Sequence, residues 1–414
     1  MNLSIIGLGF VGLTTALGFA DKGFKVSGYD INNDRADKIN SGIVPFFEPG
    51  LTEALKRTLG SNFQIVSDVK EVINNTEAVF FCVGTPCDDD GKADLKYLLS
   101  AIDSVINLVP DTCVFVIKST IPPGTTDNII KKYVKEKRNT IFITNNPEFL
   151  REGYCWNDFI KPDRIVCGCN DRDTHAINVL TDLYKPFNAP IHFVSPSTAE
   201  FIKYLSNSLL ASLISFSNEM ALIADAAGDI NIGKAFKVLH QDKRLINAGI
   251  SHYIYPGCGY GGYCLPKDTV ALSANAKANS FVPRILEGVI SLNDEMPCLT
   301  ADKIKRKLKD KNEKIGILGL SFKPNSDDVR DSPAAKIIKI LLADGYRNIF
   351  AYDPEAIESF KLFYKFDINY SESIEELCGK CNYIAVITTW NIFANIDKKY
   401  PDKQFIDCRY FLNN

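Results

Sequence analysis

The residues best equipped for chemistry cluster in one segment, Pro256-Gly257-Cys258-Gly259-Tyr260-Gly261-Gly262-Tyr263-Cys264-Leu265-Pro266-Lys267-Asp268. Four glycines in six residues let a backbone approach a ligand closely. Cys264 with Lys267 and Asp268 joins a nucleophile to a cation and a carboxylate. A neighbouring ammonium lowers a thiol pKa, and the thiolate is the reactive form. For any one of the 12 cysteines, a small buried apolar role is the simpler reading. Only its surroundings set Cys264 apart. Cys167 with Cys169, and the C-x-x-C of Cys378 and Cys381, lack a second pair or a His at zinc spacing, so no metal site is expected.

A second constellation opens the chain. Gly7, Gly9 and Gly12, with Phe10 and Val11 between them, form G-x-G-x-x-G after a strand and before a helix. The first glycine permits a tight turn, the second lets a pyrophosphate meet the backbone, and the third allows close helix packing. Asp30 ends the next strand, 18 residues beyond Gly12, where a carboxylate holds ribose hydroxyls. That carboxylate repels a 2′-phosphate and favours NAD, while nearby Arg35 leaves NADP open.

These residues need elements to hold them. The strand pattern at Leu3 to Ile6, the helical Thr14 to Ala20 and the strand Lys25 to Asp30 make a βαβ unit. Apolar runs at Ala78 to Val83, Cys113 to Lys118, Ile141 to Thr144 and Arg164 to Cys167 continue a mostly parallel, doubly wound sheet. Ser197-Thr198-Ala199-Glu200 reads as a capping box opening a long helix, with Glu200 reaching back to the cap. Phe201, Leu205, Leu209, Leu213, Phe216, Met220 and Ile223 give this helix a wide apolar face that links two domains and packs on a second subunit, predicting a homodimer. Strands return at Lys314 to Leu320, Asn348 to Tyr352, Tyr383 to Thr388 and Gln404 to Asp407. There Gly319-Leu320-Ser321-Phe322-Lys323-Pro324 lacks the dinucleotide spacing, which points to another anionic ligand. The expected fold class is α/β: two Rossmann-like doubly wound domains, 1–196 and 311–414, joined by a helical region over 197–310 that carries the Cys264 loop.

The 414 residues carry 47 Lys plus Arg against 50 Asp plus Glu, a net charge of -3 that offers no general attraction to nucleic acid. Hydrophobic residues at 46% and charged residues at 23% exclude a disordered chain. No basic leader precedes the first strand and no apolar run approaches the roughly 20 residues of a membrane span, so a cytoplasmic protein with reduced thiols and no membrane partner is expected.

With these motifs in order, the sequence resembles the UDP-glucose/GDP-mannose dehydrogenase family over nearly its whole length, and most closely the branch acting on UDP-glucose. The resemblance rests on the glycine motif, Val83-Gly84-Thr85-Pro86, Lys118-Ser119-Thr120-Ile121-Pro122-Pro123-Gly124-Thr125-Thr126, Asn146-Pro147-Glu148-Phe149-Leu150-Arg151-Glu152-Gly153, the Lys203 to Asn207 segment, the Cys264 loop, and Phe322-Lys323-Pro324 followed by Asp328-Val329-Arg330.

The resemblance implies a four-electron oxidation in which the C6 hydroxyl of a nucleotide-bound hexose becomes a carboxylate, using two NAD and one water. It implies that Lys203 and Asn207, at i and i+4 of one helix, face the reacting oxygen, and that Cys264 forms a thiohemiacetal and then a thioester. Thr120, Glu148, Glu152 and Asp268 would hold or deprotonate the hydrolytic water, with Glu152 the first choice as base. Thr85 and Thr120 would lie beside the nicotinamide, with Glu152, Lys267 and Arg330 also on the cofactor side. Glu148, Phe149, Leu150, Lys203, Asn207, Tyr253, Gly257, Tyr260 and Gly261 would contact the sugar nucleotide, and Lys323 and Arg409 its nucleotide end. Each basic residue taken alone is equally well a surface cation. The family's Arg that reaches across a dimer is matched by Arg244, although Arg244 to Gly249 is longer than the family pattern. GDP-mannose and N-acetylated UDP-hexosamines remain alternative substrates. A catalytically silent NAD-binding regulator is the reading from another class, and the joint presence of Cys264, Lys203 and Asn207 argues against it.

Overall fold

A computed structural model describes residues 1–73, 75–138, 140–246 and 250–412. The chain divides into two compact units, Met1–Leu205 and Ser206–Asn414. In the first, the strands are β1 (Asn2–Ile6), β2 (Lys25–Tyr29), β3 (Phe63–Ile65), β4 (Ala78–Phe81), β5 (Val114–Ile117), β6 (Phe142–Asn145), β7 (Ile165–Gly168) and β8 (Ile191–Val194). They form one sheet in the order β3-β2-β1-β4-β5-β6-β7-β8, parallel except for the β6–β7 pair. Every residue of β4, β5 and β7 is buried, as expected for sheet strands covered on both faces. The order reverses between β1 and β4, which makes the carboxyl ends of these strands the ligand crevice of an open α/β sheet.

The second unit repeats the plan with β9 (Ile315–Leu318), β10 (Ile349–Tyr352), β11 (Asn369–Tyr370), β12 (Tyr383–Val386) and β13 (Gln404–Asp407), all parallel in the order β11-β10-β9-β12-β13. Its core is built on Ile315, Ile317, Ile337, Ile338 and Leu341.

The long helix runs from Pro196 to Ala227, 32 residues or about 48 Å. By length and composition it could cross a membrane, which corrects the expectation that no apolar run approaches a span. Polar residues tie it into the fold instead. Its start also differs from the expected capping box. Ser195 Oγ accepts the Thr198 N–H at 3.3 Å, and Pro196 sits at the first helical position, where its missing donor costs nothing. Glu200 is thereby free of the cap, and its buried carboxylate accepts the Gly124 N–H at 2.6 Å and the Thr126 N–H at 2.7 Å. It fastens the helix to the loop that follows β5.

Candidate functional site

In the first unit the glycine motif sits between β1 and the helix Phe10–Asp21. Gly7 has φ +89° and donates its N–H to the Tyr29 carbonyl at 2.8 Å. A methyl on Gly12 would lie 1.8 Å from the Gly7 carbonyl oxygen, so only glycine lets the helix start this close to its own turn. A methyl on Gly9 would meet nothing within 4 Å among the described residues. The open side of Gly9 and the helix start, which has no side-chain cap, leave space and backbone donors for a pyrophosphate. Asp30 is buried, accepting the Leu8 N–H at 2.7 Å and the Asn32 N–H at 2.8 Å, and Arg35 Nη1 lies 2.9 Å from it. Arg35 is thus committed to Asp30. These residues fit a dinucleotide.

At the carboxyl ends of β4 and β5, the Thr85 hydroxyl donates to the Thr120 carbonyl at 2.7 Å and joins the two loops. Beyond β6, Glu148 is buried, with Oε1 2.9 Å from Lys203 Nζ and Oε2 accepting the Leu150 N–H at 2.6 Å. Burial raises the Glu148 pKa, but the Lys203 charge and hydrogen bond, the Leu150 N–H and the Lys118 charge outweigh it and hold the carboxyl below its usual range. The Phe149 ring carries two cations, Arg164 at 4.3 Å and Lys203 at 5.7 Å from its centroid. Glu152 is half-buried in the following turn. That turn is pinned by Glu48, whose buried carboxylate accepts the Gly153 N–H at 2.7 Å and the Cys155 N–H at 2.8 Å. Glu48 was not marked by the sequence reading: it is a lone carboxylate in an unremarkable segment, with a partner amide 105 residues away. Glu200 was marked only as a cap residue, and its partner amide lies 76 residues away.

In the second unit Cys264 opens the helix Cys264–Ala278, where backbone N–H groups and the helix dipole favour a thiolate. Lys267 and Asp268 follow in its first turn, with Lys267 Nζ 2.5 Å from Asp268 Oδ1. Burial lowers the Lys267 pKa, yet the Asp268 carboxylate and Cys264 offset it and leave the ammonium above its ordinary value. The other Asp268 oxygen accepts from Asn207 Nδ2 at 2.6 Å, and both residues are buried. A chain of contacts therefore runs Lys267–Asp268–Asn207, and Asn207 lies one turn beyond Lys203 on the long helix. Tyr263, just before Cys264, carries Lys267 at 5.6 Å and Arg330 at 4.5 Å from its ring centroid.

The glycines of this loop also lie close to the protein's own side chains and backbone. A methyl on Gly257 would sit 2.4 Å from Arg409 Nη1, on Gly259 2.9 Å from Asn293 Oδ1, on Gly261 2.3 Å from the Asp331 carbonyl, and on Gly262 2.8 Å from the Phe322 ring. Asn218 Oδ1 accepts the Gly257 N–H and Asn293 Oδ1 the Tyr260 N–H, each at 2.7 Å, so the loop is strapped down along its length. Tyr260 is buried, and burial pushes its phenol up to about 12.

Arg409 packs over Gly257, with Nε buried and, among the described residues, without a hydrogen-bond partner. An Nε donor in that state, on a half-buried Arg409, suits an anion. Lys323 lies 5.4 Å from the Phe322 ring centroid, and Arg330 Nη2 pairs with Asp328 at 2.6 Å. Tyr253 is half-buried in the short 3-10 turn Ser251–Tyr253. Arg244 is exposed and paired with its neighbour Asp242. Residues 247–249 of its stretch lie outside the described residues.

Three successive family models match the chain: the NAD binding domain of the UDP-glucose/GDP-mannose dehydrogenase family over residues 1–188, its central domain over 197–295, and its UDP binding domain over 316–414. The chain belongs to that family. It is 39% identical over 404 residues to a UDP-glucose 6-dehydrogenase of Rickettsia bellii, covering 96% of this chain and 91% of that one. A solved UDP-glucose dehydrogenase from the archaeon Pyrobaculum islandicum superposes with a TM-score of 0.90 at 36% identity, covering 99% of this chain and 94% of that one. A UDP-D-ManNAc dehydrogenase from Pyrococcus horikoshii superposes with a TM-score of 0.86 at 28% identity, covering 100% and 96%. Family membership makes the protein an oxidoreductase with NAD as cofactor, and the match over 316–414 gives it a UDP-binding region.

Proposed function

We propose that the protein is an NAD-dependent UDP-glucose 6-dehydrogenase that produces UDP-glucuronate. The observation that carries the reading is the arrangement around Cys264: a thiol at a helix start, Lys267 and Asp268 behind it, and Asp268 bonded to Asn207 on the helix that also bears Lys203. NAD, when bound, supplies the hydride acceptor for both oxidations. Lys203 takes the C6 hydroxyl proton as the first hydride leaves C6, and Lys203 and Asn207 donate to the oxygen where charge develops. The Cys264 thiolate then adds to the aldehyde carbon, giving a thiohemiacetal. Loss of the second hydride leaves a thioester, and water displaces the thiolate to release the carboxylate. Glu152 deprotonates that water, with Thr120, Glu148 and Asp268 orienting it. Thr85, Arg330 and Lys267 serve the cofactor side, and Arg409 and Lys323 the nucleotide.

UDP-glucose is preferred over GDP-mannose or a UDP-N-acetylhexosamine because relatives named for UDP-glucose reach 39% identity, against 28% for the UDP-D-ManNAc dehydrogenase. We further propose a cytoplasmic homodimer with no nucleic-acid or membrane partner, and the three-part division 1–196, 197–310 and 311–414. Support for the dimer comes from Phe201, Leu205, Leu209, Phe216 and Ile223, each about half exposed along the long helix, a row that water covers poorly. Arg244 is the residue offered to the partner. NADH formation with a panel of UDP-glucose, GDP-mannose and UDP-N-acetylhexosamines tests the assignment. Fastest turnover with UDP-glucose is expected, and turnover confined to another sugar nucleotide would replace it.

A further inference from the structure

Glu152, the residue proposed to deprotonate the hydrolytic water, stands on a turn closed by the Tyr154 N–H, which donates to the Arg151 carbonyl at 2.9 Å. Gly153, next in that turn, has φ +77°, a conformation that suits glycine. Both flanks of Glu152 are held by carboxylates. On one side the Arg151 N–H donates to Asp158 Oδ2 at 3.0 Å, and the Arg151 guanidinium pairs with the same carboxylate at 2.6 Å. On the other side Glu48, 105 residues earlier, gives one oxygen to the Gly153 N–H at 2.7 Å and the other to the Cys155 N–H at 2.8 Å. Arg151 is exposed, and an exposed ion pair holds a turn weakly. Glu48 is buried, so the firm placement of the turn falls to it.

The segment that carries Glu48 is itself fixed. Gly50 has φ +85°, and a methyl there would lie 2.7 Å from Trp156 Cδ1, so this backbone rests directly on the helix Cys155–Ile160. Phe46 meets Phe10 of the glycine motif with ring centroids 5.6 Å apart, and the Thr14 hydroxyl lies 3.2 Å from Cys155 Sγ. The turn is thereby braced against the helix that opens at the pyrophosphate position. A buried carboxylate is unfavourable unless its oxygens find donors, and the helix Cys155–Ile160 has no side-chain cap at Tyr154, so Glu48 serves its first N–H. A cap alone would need one oxygen. The second oxygen binds the N–H of the peptide that joins Glu152 to Gly153.

We propose that Glu48 is a positioning residue for thioester hydrolysis: by holding the Glu152–Gly153 peptide and the Cys155 N–H together, it fixes the backbone from which Glu152 reaches the water. The role rests on the proposed dehydrogenase activity and deepens it. In that step the water oxygen adds to the thioester carbon and Glu152 takes one of its protons. The carbon–sulfur bond then breaks, its electron pair going to Cys264. Neither hydride transfer uses Glu152 as a base, so loss of Glu48 should fall on the last step. A catalytic group displaced by about 1 Å loses on the order of a hundredfold in rate.

The test is a single turnover of UDP-glucose with excess enzyme and NAD, following NADH by absorbance and UDP-glucuronate by rapid quench. The parent, Glu48→Gln, Glu152→Gln and the double variant are compared. Glu48→Gln keeps the shape of the side chain but turns one acceptor into a donor that faces an N–H. Release of UDP-glucuronate should slow about tenfold to a hundredfold, while both NADH-forming steps stay within about twofold of the parent. Intact mass should show the UDP-glucuronyl adduct on Cys264. Glu48→Asp, one carbon shorter, should show the same lag if the glutamine variant does not fold. Because Glu48 acts through Glu152, the double variant should release product no more slowly than Glu152→Gln alone. NADH formation falling in step with release, an unchanged release, or losses that multiply in the double variant would each overturn the inference. A parent that forms no NADH from UDP-glucose refutes the dehydrogenase reading and this inference with it, while an active parent with any of those three outcomes refutes the role of Glu48 alone.

Discussion

Asp30 and Asp353 occupy the same place in two Rossmann-like sheets, and the protein uses them differently. Each follows the second strand of its unit and accepts an N–H from the residue after a left-handed glycine: Leu8 after Gly7 (φ +89°), and Leu320 after Gly319 (φ +95°). At Asp30 the neighbouring Gly9 faces open space, and a helix begins three residues after Gly7. At Asp353 the same space is filled. Its Oδ2 accepts the N–H and hydroxyl of Ser321 and the Trp390 indole N–H at 3.0–3.1 Å, while Oδ1 accepts the Glu355 and Ala356 N–H groups at 3.0 and 2.9 Å. The next helix starts only at Pro333. Both carboxylates are buried, but Asp30 sits beside the open side of Gly9, whereas Asp353 has become an internal pin for Ser321 and Trp390. The intervening loop, Phe322 to Ser332, instead carries Lys323 and Arg330 and packs on the Cys264 loop.

The largest effect should separate the duties of the two units. Cys264→Ala is expected to lower UDP-glucuronate formation about a thousandfold or more. NAD binding, measured by calorimetry, should change little. Cys264→Ser should accumulate an ester adduct visible by intact mass, since an oxygen ester is a poorer acyl donor than a thioester. Full four-electron activity in Cys264→Ala would remove the covalent scheme.

The two carboxylates come next. Asp353→Ala strands several buried donors and should cost about 3 kcal/mol or more in denaturant unfolding, without a specific effect on the KM for NAD. Asp30→Ala should raise that KM by about tenfold to a hundredfold, the weight of a hydrogen bond to a charged group, at a smaller cost in stability. Equal effects of the two on NAD would erase the distinction.

The glycines give a finer contrast. Gly319→Ala places a methyl 2.4 Å from Thr388 at a positive φ and should destabilise by about 2 kcal/mol. Gly9→Ala has room within the chain, so its unfolding midpoint should hardly move while NAD affinity falls.

The strands of this comparison were legible because buried parallel strands read as unbroken apolar runs, as in Val114–Ile117 and Ile315–Leu318. The three missed strands lack that signature. Phe63–Ile65 and Asn369–Tyr370 are short edge strands, and Ile191–Val194 is a partly exposed edge carrying His192. Motif residues such as Gly7, Asp30 and Cys264 could be singled out from local spacing. Glu48 could not, since it gains its partners far along the chain. The glycines at 257, 259, 261 and 262 record in the sequence that a backbone must come close to something, and the fold brings Arg409, Asn293, Asp331 and Phe322 against them.

The measurement that tests the central claim most directly is the yield of NADH from a limiting amount of UDP-glucose, with excess NAD and the reaction run to completion. The account predicts two NADH and one UDP-glucuronate per sugar nucleotide, with no aldehyde released. One NADH per sugar with free aldehyde in solution would contradict it.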